Sequence, residues 1–104
     1  MEERNEMKIS CVIPAYNEEE RIESVLKVVL NCSLINEIIV VDDGSTDKTA
    51  EVVKKYPVKL IRHKTNLGKG AALQSGISKI NSDLLILLDA DLIGLEEKDR
   101  QCYW

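Results

Sequence analysis

Two carboxylates one residue apart, Asp89 and Asp91, follow five consecutive aliphatic residues, Leu84-Leu85-Ile86-Leu87-Leu88. So short a run, entered through Ser82-Asp83, predicts a strand buried on both faces. Residues two apart in an extended chain point to the same side, so Asp89 and Asp91 are expected to project together from the strand's end across the small Ala90. Two ionised carboxylates that close repel, and a divalent cation relieves the repulsion. Oxygen-only ligation suits Mg²⁺ or Mn²⁺, which take one or two carboxylates and leave their other positions to water and substrate phosphates. The pair is therefore a candidate diphosphate site. Taken alone, such a tripeptide is more often an acidic turn in which one Asp caps the next segment.

Other elements must bring partners to that pair. Residues 8–13 predict a first strand, carrying Ile9, Cys11, Val12 and Ile13 and stopped by Pro14. Asn17 reads as an N-cap with Glu20 three residues on, and Ile22, Val25, Leu26, Val29 and Leu30 then keep helical spacing to about Asn31. Residues 37–41 predict a second strand ended by Asp42-Asp43-Gly44. Ser45 is placed to cap a second helix, with Asp47 in its first turn, Ala50, Val53 and Tyr56 facing inward, and Pro57 as its end. Residues 58–61 give a third strand, and Asn66, Gly68 and Gly70 mark a turn before a third helix whose inner face is Ala72, Leu73, Gly76, Ile77 and Ile80. Gly76 costs about 1 kcal/mol of helix propensity relative to Ala, which predicts close packing on the sheet.

Strand and helix alternate strictly, without repeat or linker, so the chain is expected to be one α/β domain with a mostly parallel sheet. Right-handed crossovers that run outward from the first strand and then return give the order 3-2-1-4, a Rossmann-like three-layer sandwich. Ligands of such sheets bind beyond the carboxyl ends of the strands at the switch point. Three acid-bearing loops converge there: residues 14–18, 42–45 and 89–91. An acidic rim without a cation repels itself, which favours the metal and ligand reading over the simple turn.

Length and charge narrow the classes further. A chain of 104 residues holds one small domain. Fourteen basic against eighteen acidic residues give 14 − 18 = −4, and no basic stripe is interleaved with aromatics, so nucleic acid is not an expected partner. Residues 1–7 form a polar leader without the apolar core of a signal peptide, and no apolar run approaches the roughly 20 residues that span a bilayer. Cys11, Cys32 and Cys102 are odd in number and lack C-x-x-C spacing. A cytoplasmic, reducing location is the expectation.

Taken in order and at their spacings, Ile13-Pro14-Ala15-Tyr16-Asn17-Glu18, Val40-Val41-Asp42-Asp43-Gly44-Ser45-Thr46-Asp47, Asn66-Leu67-Gly68-Lys69-Gly70 and Leu88-Asp89-Ala90-Asp91 resemble the nucleotide-sugar-binding half of a family 2 glycosyltransferase of GT-A fold. Each motif is weak alone; the four together are specific, and they span nearly the whole chain from Ile9 to Asp91. The nearest likeness is to enzymes that transfer a sugar to polyprenyl phosphate or to phosphoglycerate. The resemblance implies that Pro14, Ala15, Tyr16 and Glu18 border the base and ribose, that Asp43 accepts from a base N–H, and that Lys69 approaches the nucleotide or its phosphates. It further implies that Asp91 is the principal metal ligand and that Asp89 contacts ribose or metal. The expected cofactor is Mg²⁺ or Mn²⁺, and the expected partner is a nucleoside-diphosphate sugar, a UDP-sugar by preference and a GDP-sugar as the second choice.

Bottom-up, a carboxylate is a natural acceptor for the imide N–H of uracil, yet Asp43 could instead cap the next helix, and Lys69 could be simply solvated. In the family the metal stabilises the leaving diphosphate while an acceptor hydroxyl attacks with inversion, the general base coming from later in the chain. This chain stops thirteen residues after Asp91. Its residues 92–104 are expected to be a truncated tail, with the acceptor-binding half and base absent. Glu96, Glu97 and Asp99, mixed with Lys98 and Arg100, read as one solvated turn and not as that base. Tyr103 and Trp104 either cover apolar surface or fray.

The competing expectation is an inactive nucleotide-binding module. A phospho-receiver is excluded because the acid pair follows the second strand, and a nucleotidyltransferase because its Gly-rich loop is replaced by Pro14-Ala15-Tyr16-Asn17-Glu18. His63 is expected in a surface or loop role, since no second His or Cys stands at ligand spacing. The aliphatic strand at residues 84–88 would form a sheet edge, which predicts a homo-oligomer through that edge.

Overall fold

The computed structural model describes residues 7–90. Within them run β1 (Ile9–Ala15), α1 (Ile22–Leu30), β2 (Glu37–Asp42), α2 (Thr49–Val53), β3 (Lys59–Arg62), α3 (Lys69–Ile77) and β4 (Leu84–Leu87). The four strands form one parallel sheet of order β3-β2-β1-β4. This is the predicted topology, and its cause is visible in the two cores. Because strand side chains alternate, Cys11, Ile13, Ile38 and Val40 pack with α1 and α2 on one face. Val12, Ile39 and Val41 pack with Ala72 and Leu73 of α3 on the other. Three layers result, with β1 and β2 buried between them.

Pro14 does not stop β1, contrary to expectation; it lies inside the strand opposite Val41. The carbonyls of Lys8 and Val12 accept from β4 and its flanks, while those of Ile9 and Ala15 accept from β2 and its flanks. Even-numbered residues of β1 therefore face β4, and the last β1–β4 pair is Val12 with Leu87. Pro14 lies beyond that pair, where its missing N–H breaks no ladder bond.

β4 is not buried on both faces. Among the described residues it pairs with β1 alone, leaving Leu84 and Leu87 46% and 51% exposed. Leu85 and Ile86 reach opposite cores from that edge. The other edge, β3, begins with Lys59 and ends with Arg62, whose charges discourage pairing with another chain.

Gly76 behaves as its propensity cost predicts. A methyl there would stand 2.5 Å from Cγ1 of Val12 and 3.2 Å from Cγ2 of Val41, so α3 lies on the sheet closer than an alanine would allow. Cys11 and Cys32 are buried, and burial pushes the Cys11 thiol up to about 12. No described helix is long and apolar enough to cross a membrane.

Candidate functional site

The carboxyl ends of the strands open on a cavity of about 270 Å³ lined by Pro14, Ala15, Tyr16, Glu18, Asp43, Asn66, Gly68, Lys69, Ala72 and Asp89. All seven residues expected at the nucleotide are therefore in one place. A larger hollow of about 380 Å³ lies at the opposite end of the sheet, around Ile35, Glu37, Pro57 and Lys59. It is remote from the switch point and gathers no converging acids, so size does not decide between the two.

The loops that form the site are tied to each other. Asn17 adopts a left-handed conformation, φ 52°. Instead of capping α1, it takes a hydrogen bond from the Thr46 amide on Oδ1 at 2.8 Å and donates its own amide to Ser45 Oγ at 2.9 Å. Asparagine tolerates this conformation better than most residues, and the turn aims its side chain across to the second loop. Ser45, expected as a helix cap, is used up in this bridge. α2 has no side-chain cap; two residues before its start Asp47 accepts from the Thr49 amide at 2.9 Å, with the Glu19 amide donating to its second oxygen at 3.3 Å. Burial raises the Asp47 carboxyl, but the hydroxyl and amide of Thr49 and the Glu19 amide outweigh it and hold the pKa below the ordinary value. Asp42 Oδ1 accepts from the Ser45 amide at 3.1 Å, a local turn role.

Asp43 is 3% exposed and its carboxylate is fully engaged. Oδ1 accepts from His63 Nδ1 at 2.7 Å and the Leu67 amide at 3.0 Å. Oδ2 accepts from the Gly68 amide at 2.9 Å and Asn66 Nδ2 at 3.2 Å. A carboxylate offers about four lone-pair sites, so the protein's own donors fill them. Burial pushes this carboxyl up, yet the Leu67 amide, His63 and the Gly68 amide together hold its pKa below the ordinary 3.8.

An ionised carboxylate can only accept, so Nδ1 of His63 donates to Asp43, and Nε2 is hydrogen-bonded to Ser75 Oγ at 2.8 Å. His63 thus links the end of β3's loop to Asp43 and to the middle of α3. Its sequence position past a short strand gave no sign of this, because both partners are distant in the chain.

Lys69, the first residue of α3, reaches across the cavity to Asp89 just beyond β4, with Nζ 2.5 Å from Oδ2. Tyr16 is exposed at the cavity mouth, and Glu18 pairs with Arg21 at 2.7 Å.

Against this geometry, comparison with known proteins is decisive. The model of the family described as glycosyl transferase family 2 matches residues 10–102. The chain belongs to glycosyl transferase family 2. A dolichyl-phosphate beta-glucosyltransferase of Trichomonas vaginalis is 43% identical over 80% of this chain and 30% of its own length. Among solved structures, glucosyl-3-phosphoglycerate synthase from Mycobacterium tuberculosis, in complex with Mn²⁺, UDP and glucosyl-3-phosphoglycerate, superposes with a TM-score of 0.74 at 33% identity, covering 84% of this chain and 34% of that one. A mannosyltransferase from Pyrobaculum calidifontis, in complex with GDP-Man and Mn²⁺, gives a TM-score of 0.77 at 26% identity over 84% of this chain and 28% of that one. The chain spans about a third of the length of these proteins, and its sheet has the GT-A fold they share.

Whether the site suits the divalent metal of those complexes can be judged from Asp89. Its carboxylate is 38% exposed and draws one cation, the Lys69 ammonium. Its oxygens are of the donor type that Mg²⁺ and Mn²⁺ take. Asp91, the expected principal ligand, lies outside the described residues, as do Glu96, Glu97, Asp99, Tyr103 and Trp104. Among the described residues no three acidic, His or Cys side chains gather to hold a metal by themselves.

Proposed function

We propose that this chain is the nucleotide-sugar-binding domain of an inverting glycosyltransferase, and that the cavity at the strand ends holds a nucleoside diphosphate together with Mg²⁺ or Mn²⁺. The observation that carries the reading is the convergence of Pro14, Ala15, Tyr16, Glu18, Asp43, Lys69 and Asp89 on one cavity, from three loops and a helix start. The exposed Tyr16 ring offers a face for the base, with Pro14, Ala15 and Glu18 beside the base and ribose. Asp43 holds the turn at residues 66–68 against the pocket. If it also accepts from a base imide, the donor displaced is Asn66 Nδ2, at 3.2 Å the longest of its four contacts. Asp89 and Asp91 are the oxygen ligands for the cation, which when bound offsets the charge of the leaving diphosphate.

Calorimetric titration with UDP and GDP, each with and without Mn²⁺, tests this. Binding is expected with Mn²⁺ and is expected to weaken at least about tenfold, about 1.4 kcal/mol, in Asp91→Ala. A folded chain that binds neither nucleotide under any of these conditions would sink the proposal.

Assembly belongs to the same reading. The β4 edge carries Leu84 and Leu87 without the flanking cations that guard β3. Pairing of this edge with a second copy is expected, under a cytoplasmic setting, at micromolar concentration. Sedimentation velocity checks it, and a strictly monomeric profile would count against it.

A further inference from the structure

The Lys69–Asp89 pair stands in an unusual place. Lys69 opens α3, where the helix dipole disfavours a cation, and that helix has neither a side-chain cap nor an acid in its first turn. Helix propensity and dipole therefore do not account for a lysine at this position; the Asp89 carboxylate 2.5 Å from its ammonium is a partner that favours it. The pair crosses the cavity mouth, and its side chains are 57% and 38% exposed. Ion pairs so open to water are weak and break readily.

We infer that Lys69 is an exchangeable counter-ion for this site: its ammonium pairs with Asp89 while the pocket is empty, passes to the phosphates when a nucleoside diphosphate enters, and so stops competing with the divalent cation for Asp89. The inference rests on the nucleotide-binding reading above and adds an order to it. Metal alone competes with the lysine for Asp89. Metal arriving with a diphosphate does not, because the anion at the start of α3 gives the ammonium a new partner where the helix end itself favours negative charge. Cation binding thereby becomes contingent on nucleotide binding, without any movement of the backbone.

The exchange predicts effects of opposite sign from one substitution. In Lys69→Met, binding of Mn²⁺ alone, read by electron paramagnetic resonance of the free ion, is expected to tighten about three- to fivefold, the range open to an exposed ion pair. UDP binding at saturating Mn²⁺, read by calorimetry, is expected to weaken about tenfold as a charge-assisted contact is lost. Lys69→Arg keeps charge and reach and should return both values toward those of the original chain. The side chain is more than half exposed, so folding is not at stake. A Lys69→Met chain that binds nucleotide while its Mn²⁺ affinity is no higher than the original's would overturn the exchange alone. Failure of the unsubstituted chain to bind UDP or GDP would instead remove the nucleotide reading, and the phosphate half of the exchange with it.

Discussion

Asp43→Ala is expected to cost about 2–3 kcal/mol of folding stability, since it removes the one buried carboxylate that four part-buried donors share. Two of those donors are backbone amides, Leu67 and Gly68, and cannot be removed by any rotamer change. The other two, His63 and Asn66, would have to find water in a site that the substitution itself opens. A small domain holds about 5–15 kcal/mol in total, so urea denaturation at neutral pH should show a large fall in midpoint. A midpoint unchanged from the original chain would contradict the assignment of Asp43 as the anchor of this turn. The same carboxylate makes the protein acid-sensitive. Its folded pKa lies below the unfolded value, so its contribution is complete above about pH 4 and is lost as the pH falls through the folded value. Asp47 is shifted in the same direction and adds to the effect. Asp43→Asn, which does not titrate, should therefore flatten the dependence of stability on pH below about 4.

The second large effect is expected one residue on. Gly44 has φ +77°, and a Cβ there would lie 2.4 Å from the carbonyl carbon of Thr65 and 2.5 Å from the amide nitrogen of Asn66. Both obstacles are backbone, so neither can swing aside. Gly44→Ala is expected to lose about 3 kcal/mol or more, combining about 1–2 kcal/mol of left-handed strain with the cost of displacing residues 65–66. That displacement would also pull the Asn66–Gly68 turn off the pocket, so nucleotide binding should fall with stability. Gly70→Ala is the internal control: it sits in the first turn of α3, and a Cβ there meets nothing within 4 Å. Helix propensity makes it neutral or stabilising by up to about 1 kcal/mol. Thermal midpoints of the two variants, measured side by side, separate the steric argument from any general intolerance of alanine for glycine.

Much of this architecture was legible in the sequence because apolar spacing carries it. Strict alternation of short aliphatic runs such as Ile38 to Val41 with helically spaced ones such as Ile22 to Leu30 implied a parallel sheet, and right-handed crossovers running outward and then back implied 3-2-1-4. What was not legible depends on partners far along the chain. Asn17 has the residue type of a helix cap, and only the folded loop shows that it serves residues 45 and 46 instead. His63 looked like a lone surface histidine because neither Asp43 nor Ser75 is near it in sequence. Asp43 looked available to a ligand because two of its donors are main-chain amides, which no residue type advertises. β4 reads as buried on both faces from its aliphatic run, although its place at the edge of the 3-2-1-4 order leaves Leu84 and Leu87 open to solvent.

Six hydrogen bonds join residues 17–19 to residues 45–49, through Asn17, Glu18 and Glu19 on one side and Ser45, Thr46, Asp47, Lys48 and Thr49 on the other. Two segments that look like separate loops therefore open and close as one cooperative unit, so their amides should exchange with solvent at a common rate. For a ligand, this means that the lip of the pocket next to Tyr16 is already ordered before anything arrives. Little configurational freedom is left there to be surrendered on association, and more of each contact made by the base survives as net affinity.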